Sequence, residues 1–302
     1  MAAIDQDAQS VADLAAASGL KIDPQSLTFN EIGLDFRVGF ATAVDGTRWV
    51  LRLPRRTDVI ARARKEARML ELVRSRLPLS VPDWQIFSDA LIAYPMLPGN
   101  PGLTFDPATY EVTWYFDQAS QLFPRTLGAA IAALHAIEAD LLQEAGLPVF
   151  TPDQVRQKWL ADLDQVRGRF EVMPDQWQSW QAWIADDSYW PDVTVPIHGD
   201  LYAGHVMVDE AGRATGIIDW TEGRVGDPAV DLVGHIRAFG EAALPALIEG
   251  YSSAGGRIWP QIAQHCSKLN SASPVNYALF ALTTGDAGHM AAAQAQLTPA
   301  PA

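Results

Sequence analysis

Apolar and polar positions change rhythm about a third of the way along the chain. Leu27 to Phe40 alternates in part and carries β-branched and aromatic residues, Arg48 to Leu53 resumes the pattern, and Asp45-Gly46 stands between them. This predicts an antiparallel hairpin closed by a two-residue turn in which both central positions tolerate positive φ. Arg56 to Leu77 then places Met69, Leu72 and Leu77 near helical spacing among charged residues and stops at Pro78, which predicts one long charged helix. Trp84 to Phe87 and Ala90 to Leu97 predict two more short strands, whereas Pro98-Gly99-Asn100-Pro101-Gly102 is too broken for either element. The first third therefore reads as strands with one helix, and the boundary falls at this segment: an N-terminal lobe over 1–97 and a larger lobe over 98–302.

Beyond the boundary the rhythm is helical, starting near Phe116 to Ile137 and continuing after Thr151-Pro152, a capping residue followed by proline at the first helical position. Val193 to His198, Val206 to Asp209 and Thr215 to Asp219 interrupt it. They are apolar runs too short for helices, and they predict a small sheet set inside a helical lobe. Asp227-Pro228 starts another capped helix, and further apolar segments follow to an Ala- and Pro-rich tail. No repeat at solenoid periods is present. The fold class expected is α+β.

Composition narrows the function. Apolar residues make up 48% of the 302 and charged residues 19%, an ordinary globular balance. The opening MAAIDQDAQS lacks the basic and apolar regions of a leader, and no run reaches the roughly 18 apolar residues of a membrane span, so the expected location is the cytoplasm. Cys266 has no second cysteine to pair with, and its neighbour His265 gives no metal-ligand spacing, so a buried packing role is expected. Asp and Glu outnumber Lys and Arg 36 to 22, a net charge of −14, which argues against a nucleic-acid partner; the same field would attract a cationic substrate, although a negative balance is more often simply a way of staying in solution. Nothing in the sequence calls for a membrane or a second chain, and a monomer is expected.

The chemistry is concentrated in His198-Gly199-Asp200-Leu201-Tyr202-Ala203-Gly204-His205 and in Ile217-Ile218-Asp219-Trp220. A hairpin of Val206–Val208 and Thr215–Ile218 would bring the loop ending at His205 and the strand ending at Asp219 to one edge, with Asp200 just upstream. Phosphoryl transfer needs a carboxylate that orients the attacking hydroxyl and ligands that fix Mg²⁺ against the nucleotide phosphates. Asp200, His205 and Asp219 are of the right types. A His on such a loop also occurs as a simple hydrogen-bonding residue, and imidazole is a softer ligand than Mg²⁺ prefers.

These residues resemble the aminoglycoside and macrolide phosphotransferase superfamily, relatives of the protein kinases with the loop H-G-D-x-x-x-x-N, followed by I-D and by G-D-P-A-x-D-L, here Gly226-Asp227-Pro228-Ala229-x-Asp231-Leu232. Histidine in place of the loop asparagine is similar to the macrolide 2′-phosphotransferases, as are Asn30-Glu31-Ile32-Gly33-Leu34-Asp35, Val81-Pro82-Asp83-Trp84 and Ala93-Tyr94-Pro95-Met96-Leu97. The resemblance implies a protein-kinase-like two-lobed fold, with an antiparallel sheet and helix in the first lobe and a mainly helical second lobe. It implies transfer of the γ-phosphate of GTP, in preference to ATP, to the 2′-hydroxyl of a macrolide amino sugar, with Mg²⁺, giving antibiotic resistance. Asp200 would be catalytic, His198 would support its loop, and His205 and Asp219 would hold the metal. Arg52 and its partner Glu66, with Ile32, Gly33, Tyr94, Met96, Leu97 and Ile218, would bind the nucleotide. Asp200, Tyr202, Asp231, Phe239 and Tyr277 would meet the substrate, with Trp259 and Phe280 as further aromatic candidates; aromatic residues such as Phe239, Trp259, Tyr277 and Phe280 are more often ordinary core. Asp231 would either accept hydrogen bonds from the catalytic-loop backbone or face the substrate amine, and Asp227 would cap its helix. Two alternatives stay open: the same fold acting on an aminoglycoside, choline or another alcohol, and a non-catalytic nucleotide-binding protein, for which His205 and Ile32 to Gly39 falling short of G-x-G-x-x-G are the hints.

Overall fold

The chain opens on a helix, α1 (Ala8–Ala17), that the strand-dominated reading of the first third misses. Asp7 caps it by accepting a hydrogen bond from the Ser10 N–H, and its buried face is Val11, Ala12 and Ala15. A stripe built mostly of alanine contrasts weakly with its flanks, which is why the periodicity is faint. Five antiparallel strands follow: β1 (Thr28–Asn30), β2 (Phe36–Thr42), β3 (Arg48–Pro54), β4 (Ile86–Phe87) and β5 (Ile92–Pro95), in the order β1-β2-β3-β5-β4. Between β3 and β4 runs α2 (Val59–Val73), the charged helix the sequence predicts, trimmed at both ends. The structure is a computed structural model that describes residues 7–298 except 32, 34, 107, 108 and 110.

Side chains alternate across β3. Leu51 and Leu53 pack with the apolar stripe of α1, while Val50 packs on the other face with Val59 and Ala63 of α2. Both faces of the strand are covered, so after Arg48 at its start it reads as a near-continuous apolar run with one internal charge, Arg52, on the α2 side. The β2–β3 turn is longer than Asp45-Gly46 suggests. Gly46 donates to the Ala43 carbonyl at 2.9 Å and Ala43 to the Thr47 carbonyl at 2.8 Å. Only Gly46 takes a positive φ, 87°, so Asp45 acts by accepting from the Thr47 N–H at 2.9 Å.

Further along come β6 (Asn100–Pro101), β7 (Leu103–Phe105), β8 (Val112–Trp114), α3 (Leu122–His135), α4 (Ala139–Glu144), α5 (Pro152–Arg167) and α6 (Pro174–Ala185). The remaining elements are β9 (Val195–Ile197), β10 (Val206–Val208), β11 (Ala214–Ile217), β12 (Arg224–Gly226), α7 (Val230–Phe239), α8 (Leu244–Ser253), α9 (Ile262–Ser271), α10 (Ser273–Thr284) and α11 (Ala287–Leu297). Thr151 and Gln154 close a reciprocal capping box at the start of α5, with Pro152 at its first position. The broken segment after Leu97 does contribute a strand, because β6 pairs with β10. Gly99 permits the approach: it has φ 89°, and a Cβ there would lie 2.4 Å from the Val208 carbonyl oxygen.

The chain divides into two units. The first comprises Met1–Phe123, Ala145–Leu147 and Gly204–Gly223; the second comprises Pro124–Glu144, Pro148–Ala203 and Arg224–Ala302. The five-stranded sheet and the three-stranded β11-β10-β6 sheet belong to the first, and the β9-β12 pair with most of the helices belongs to the second.

Candidate active site

In the first unit the site is built by a hairpin. β10 and β11 pair antiparallel in the register Val206↔Ile217 and Met207↔Gly216, and their connection is held by Asp209, whose Oδ1 accepts from the N–H groups of Ala211 and Arg213. One rung beyond the strands, the Ile218 N–H donates to the His205 carbonyl at 2.9 Å. That rung sets the loop before β10 beside the loop after β11, and His205 Nε2 comes to 3.7 Å from Asp219 Oδ2. β11 stops at Ile217 because Asp219 adopts φ 63°, alone among the described non-glycine residues in the left-handed region. Aspartate is among the few residue types that tolerate it. Trp220, fully buried, anchors the turn by donating from Nε1 to the Ile217 carbonyl at 3.0 Å.

Behind this loop lies a buried ion pair. Arg52 on β3 donates from a guanidinium nitrogen to Glu66 Oε1 on α2 at 2.7 Å, with Glu66 1% exposed. The guanidinium is stacked between the rings of Phe36, 4.2 Å away, and Trp84, 5.4 Å away. Burial would lower its pKa, but Glu66, Tyr94 and Asp219 more than offset that and raise it, so Arg52 is a permanent cation. Thr221 joins this pair to the Asp219 loop: its hydroxyl lies 2.9 Å from Asp219 Oδ1 and 3.2 Å from Glu66 Oε2. Thr221 was not among the residues the motifs single out; its place two positions after Asp219 is the signal that could have found it.

The other nucleotide candidates are placed as follows. Tyr94 is buried with Val50, Ile92 and Leu97, and burial pushes its phenol up to about 12 against the pull of Arg52. The Met96 N–H donates to the Arg48 carbonyl at 2.8 Å. Ile218 packs half-buried on the same cluster. Gly33 is exposed and its carbonyl accepts from Arg55 Nε at 2.9 Å; Ile32 lies outside the described residues.

In the second unit the loop 198–201 leaves β9 and is held from below by α7. Asp231 is 1% exposed and its carboxylate accepts from the N–H groups of His198 at 2.8 Å and Gly199 at 2.9 Å, with His135 Nε2 3.2 Å away. It therefore engages the loop backbone, the first of the two placements open for it. Burial would raise this carboxyl, but the hydrogen bond and charge of His135, then His198 and the Gly199 N–H, hold it below its ordinary 3.8. Three residues on, at the same helix face, Gly234 brings α7 against the loop: a Cβ there would sit 1.9 Å from the Leu201 carbonyl oxygen. His198 is fully buried, and its Nδ1 accepts from the Asp200 N–H at 3.2 Å, so the side chain braces the backbone. Asp200 and Tyr202 are exposed. Arg237, which no motif marks, has its pKa lowered by burial, with the charge of Asp200 pulling the other way.

Asp227 does not cap α7, whose cap position is Ala229 without a side-chain bond; the Asp227 Oδ1 accepts from the Ala229 N–H and so closes the turn that precedes the helix, while Oδ2 lies 2.6 Å from His265 Nε2. Cys266 is buried beside it. Among the aromatic candidates, Trp259 lines a cavity of about 310 Å³ with Trp190, Tyr251 and Ile258. Phe239 packs tilted against His235 with ring centres 4.5 Å apart, and the Tyr277 hydroxyl lies 3.0 Å from His289 Nδ1 beside Phe280. These contacts hold them within the helical unit.

The donor set suits Mg²⁺ held with a nucleotide. Among the described residues no group of three or more His, Cys, Asp or Glu could cage an ion, and Mg²⁺ is ordinarily bound through one or two carboxylates together with substrate phosphates and water. Adjacent ligands of one octahedral ion at ~2.1 Å lie about 3 Å apart and opposite ones about 4 Å; at 3.7 Å, His205 and Asp219 are near enough to share an ion after a small side-chain adjustment.

Residues 26–265 match the model of the phosphotransferase enzyme family. The uncharacterized protein YcbJ of Bacillus subtilis is 40% identical over 282 residues, covering 93% of this chain and 92% of that protein. The structure of macrolide 2′-phosphotransferase MphH from Brachybacterium faecium, as the apoenzyme, superposes with a TM-score of 0.92 at 46% identity, covering 98% of this chain and 99% of that one. A macrolide 2′-phosphotransferase type I structure gives 0.91 at 44% identity over 100% of both chains. With a family match over that span, a 40% identical relative of nearly equal length and the expected protein-kinase-like α+β fold, this chain belongs to the phosphotransferase enzyme family.

Proposed function

We propose that this protein transfers the γ-phosphoryl group of GTP to the 2′-hydroxyl of the amino sugar of a macrolide, an antibiotic-resistance reaction of the cytoplasm. The observation that carries the reading is the identity of 46% and 44%, across essentially the whole chain, to two macrolide 2′-phosphotransferases. The exposed carboxylate of Asp200, on a loop whose backbone is fixed by Asp231 and His198, holds the acceptor hydroxyl. As the bond from the sugar oxygen to phosphorus forms and the bond to the departing GDP breaks, Asp200 takes the hydroxyl proton, later released to water. Arg52 binds phosphate oxygens, with Glu66 keeping the guanidinium in place. Asp219 and His205 would hold Mg²⁺, which supplies charge neutralisation at the nucleotide phosphates. The negative balance of −14 favours a protonated dimethylamino sugar, and the bulk of buried Tyr94 disfavours adenine.

A donor and acceptor panel tests the reading. With Mg²⁺ and GTP, mass spectrometry should find singly phosphorylated erythromycin, formed faster than with ATP, and no phosphorylated kanamycin or choline. Product from the aminoglycoside or choline and none from any macrolide would contradict the substrate assignment.

A further inference from the structure

Asp219 presents its two oxygens to different neighbours: Oδ1 to the Thr221 hydroxyl at 2.9 Å and Oδ2 to His205 Nε2 at 3.7 Å. Glu66 is divided in the same way, Oε1 taking the Arg52 guanidinium at 2.7 Å and Oε2 the Thr221 hydroxyl at 3.2 Å. One hydroxyl, whose single proton is shared mainly with the nearer Asp219 oxygen, thus stands between the carboxylate assigned to the ion and the carboxylate that anchors the phosphate-binding cation. A carboxylate on an exposed aspartate turns readily about its last torsion, since that torsion has broad wells. A hydroxyl on one oxygen stops the exchange. Threonine suits the task because its branched Cβ stiffens χ1 and so aims the hydroxyl. The turn carrying it is fixed on either side, by buried Trp220 and by Gly223, where a Cβ would meet Met69 of α2 at 2.8 Å.

We propose that Thr221 is a positioning residue of the phosphoryl-transfer site, whose hydroxyl fixes which oxygen of Asp219 is offered to the divalent ion and ties that oxygen's geometry to the Arg52–Glu66 pair. This rests on the assignment of Asp219 to the ion. Loss of a partner that orients a metal ligand typically weakens metal binding by about 10–100-fold.

The test is Mn²⁺ binding to the full chain with saturating GDP, followed by electron paramagnetic resonance, for wild type, Thr221→Val and Thr221→Ser. Thr221→Val keeps the shape and removes the hydroxyl; it should bind Mn²⁺ about 10-fold or more weakly. Thr221→Ser should stay near wild type. In turnover, Thr221→Val should raise KM for GTP and leave KM for the macrolide unchanged, a split that general loosening would not give. Should the valine variant not fold, Thr221→Ala takes its place with the same expectation. Wild-type binding with unaltered binding in the valine or alanine variant, or a serine variant as weak as the valine one, overturns the role of Thr221. No saturable Mn²⁺ signal from wild type overturns the ion assignment itself, and the inference with it.

Discussion

The Arg52–Glu66 pair is the residue on which the first unit is most exposed to damage. Both side chains are nearly sealed, 11% and 1% exposed, so removing one leaves a charge with neither water nor partner. Glu66→Ala is expected to destabilise the protein by about 3–5 kcal/mol in urea unfolding, and a change below about 1 kcal/mol would mean that water replaces the carboxylate. His235 on α7 carries a pH signature of its own. Burial lowers its pKa from 6.5 to about 4, a bond with the Ala243 backbone opposing. The unfolded chain takes up the proton at the ordinary value and the folded chain resists it, so this contribution to stability is whole above 6.5 and is lost as pH falls toward about 4. Comparing unfolding at about pH 7 and about pH 4.5, wild type should lose roughly 2–3 kcal/mol more than His235→Gln. Equal losses would show that the imidazole is not held neutral.

At the scale of elements, the site depends on how closely α7 approaches the loop 198–201. Gly234→Ala is a case of two opposed effects. Alanine in a helix interior favours the helix by about 1 kcal/mol over glycine, but the added carbon would fall 1.9 Å from the Leu201 carbonyl oxygen. Backbone cannot yield there without moving the loop, so overlap wins: a loss of roughly 3 kcal/mol is expected, with turnover reduced through displaced Asp200. A more stable variant with full turnover would refute the contact. The same contact marks the limit of what the sequence makes legible. The loop, the hairpin after it, and the Gly226-Asp227-Pro228 turn are local patterns and are found where the sequence puts them. The helix α1 is missed because alanines make a weak stripe, β6 because its partner β10 is more than a hundred residues away, and the three-residue β2–β3 turn because Asp45-Gly46 fits two geometries. Thr221 and His135 are missed for a related reason: their meaning lies in the carboxylates of Glu66 and Asp231, which only the folded chain brings to them.

For the molecule as a whole, the α+β class, the family and the chemical residue types are legible in the chain, because phosphoryl transfer draws on short segments with fixed residue types. Which acceptor is used is a property of surfaces contributed by many helices, and here it rests on likeness to macrolide 2′-phosphotransferases of nearly the same length. Asp200 is proposed to handle the acceptor hydroxyl and to take no part in holding the nucleotide. The most direct test is the rate of erythromycin phosphorylation from GTP by Asp200→Ala, measured where GDP affinity is shown to match wild type. A fall of about 10²-fold or more is predicted; a rate within tenfold of wild type would contradict the account.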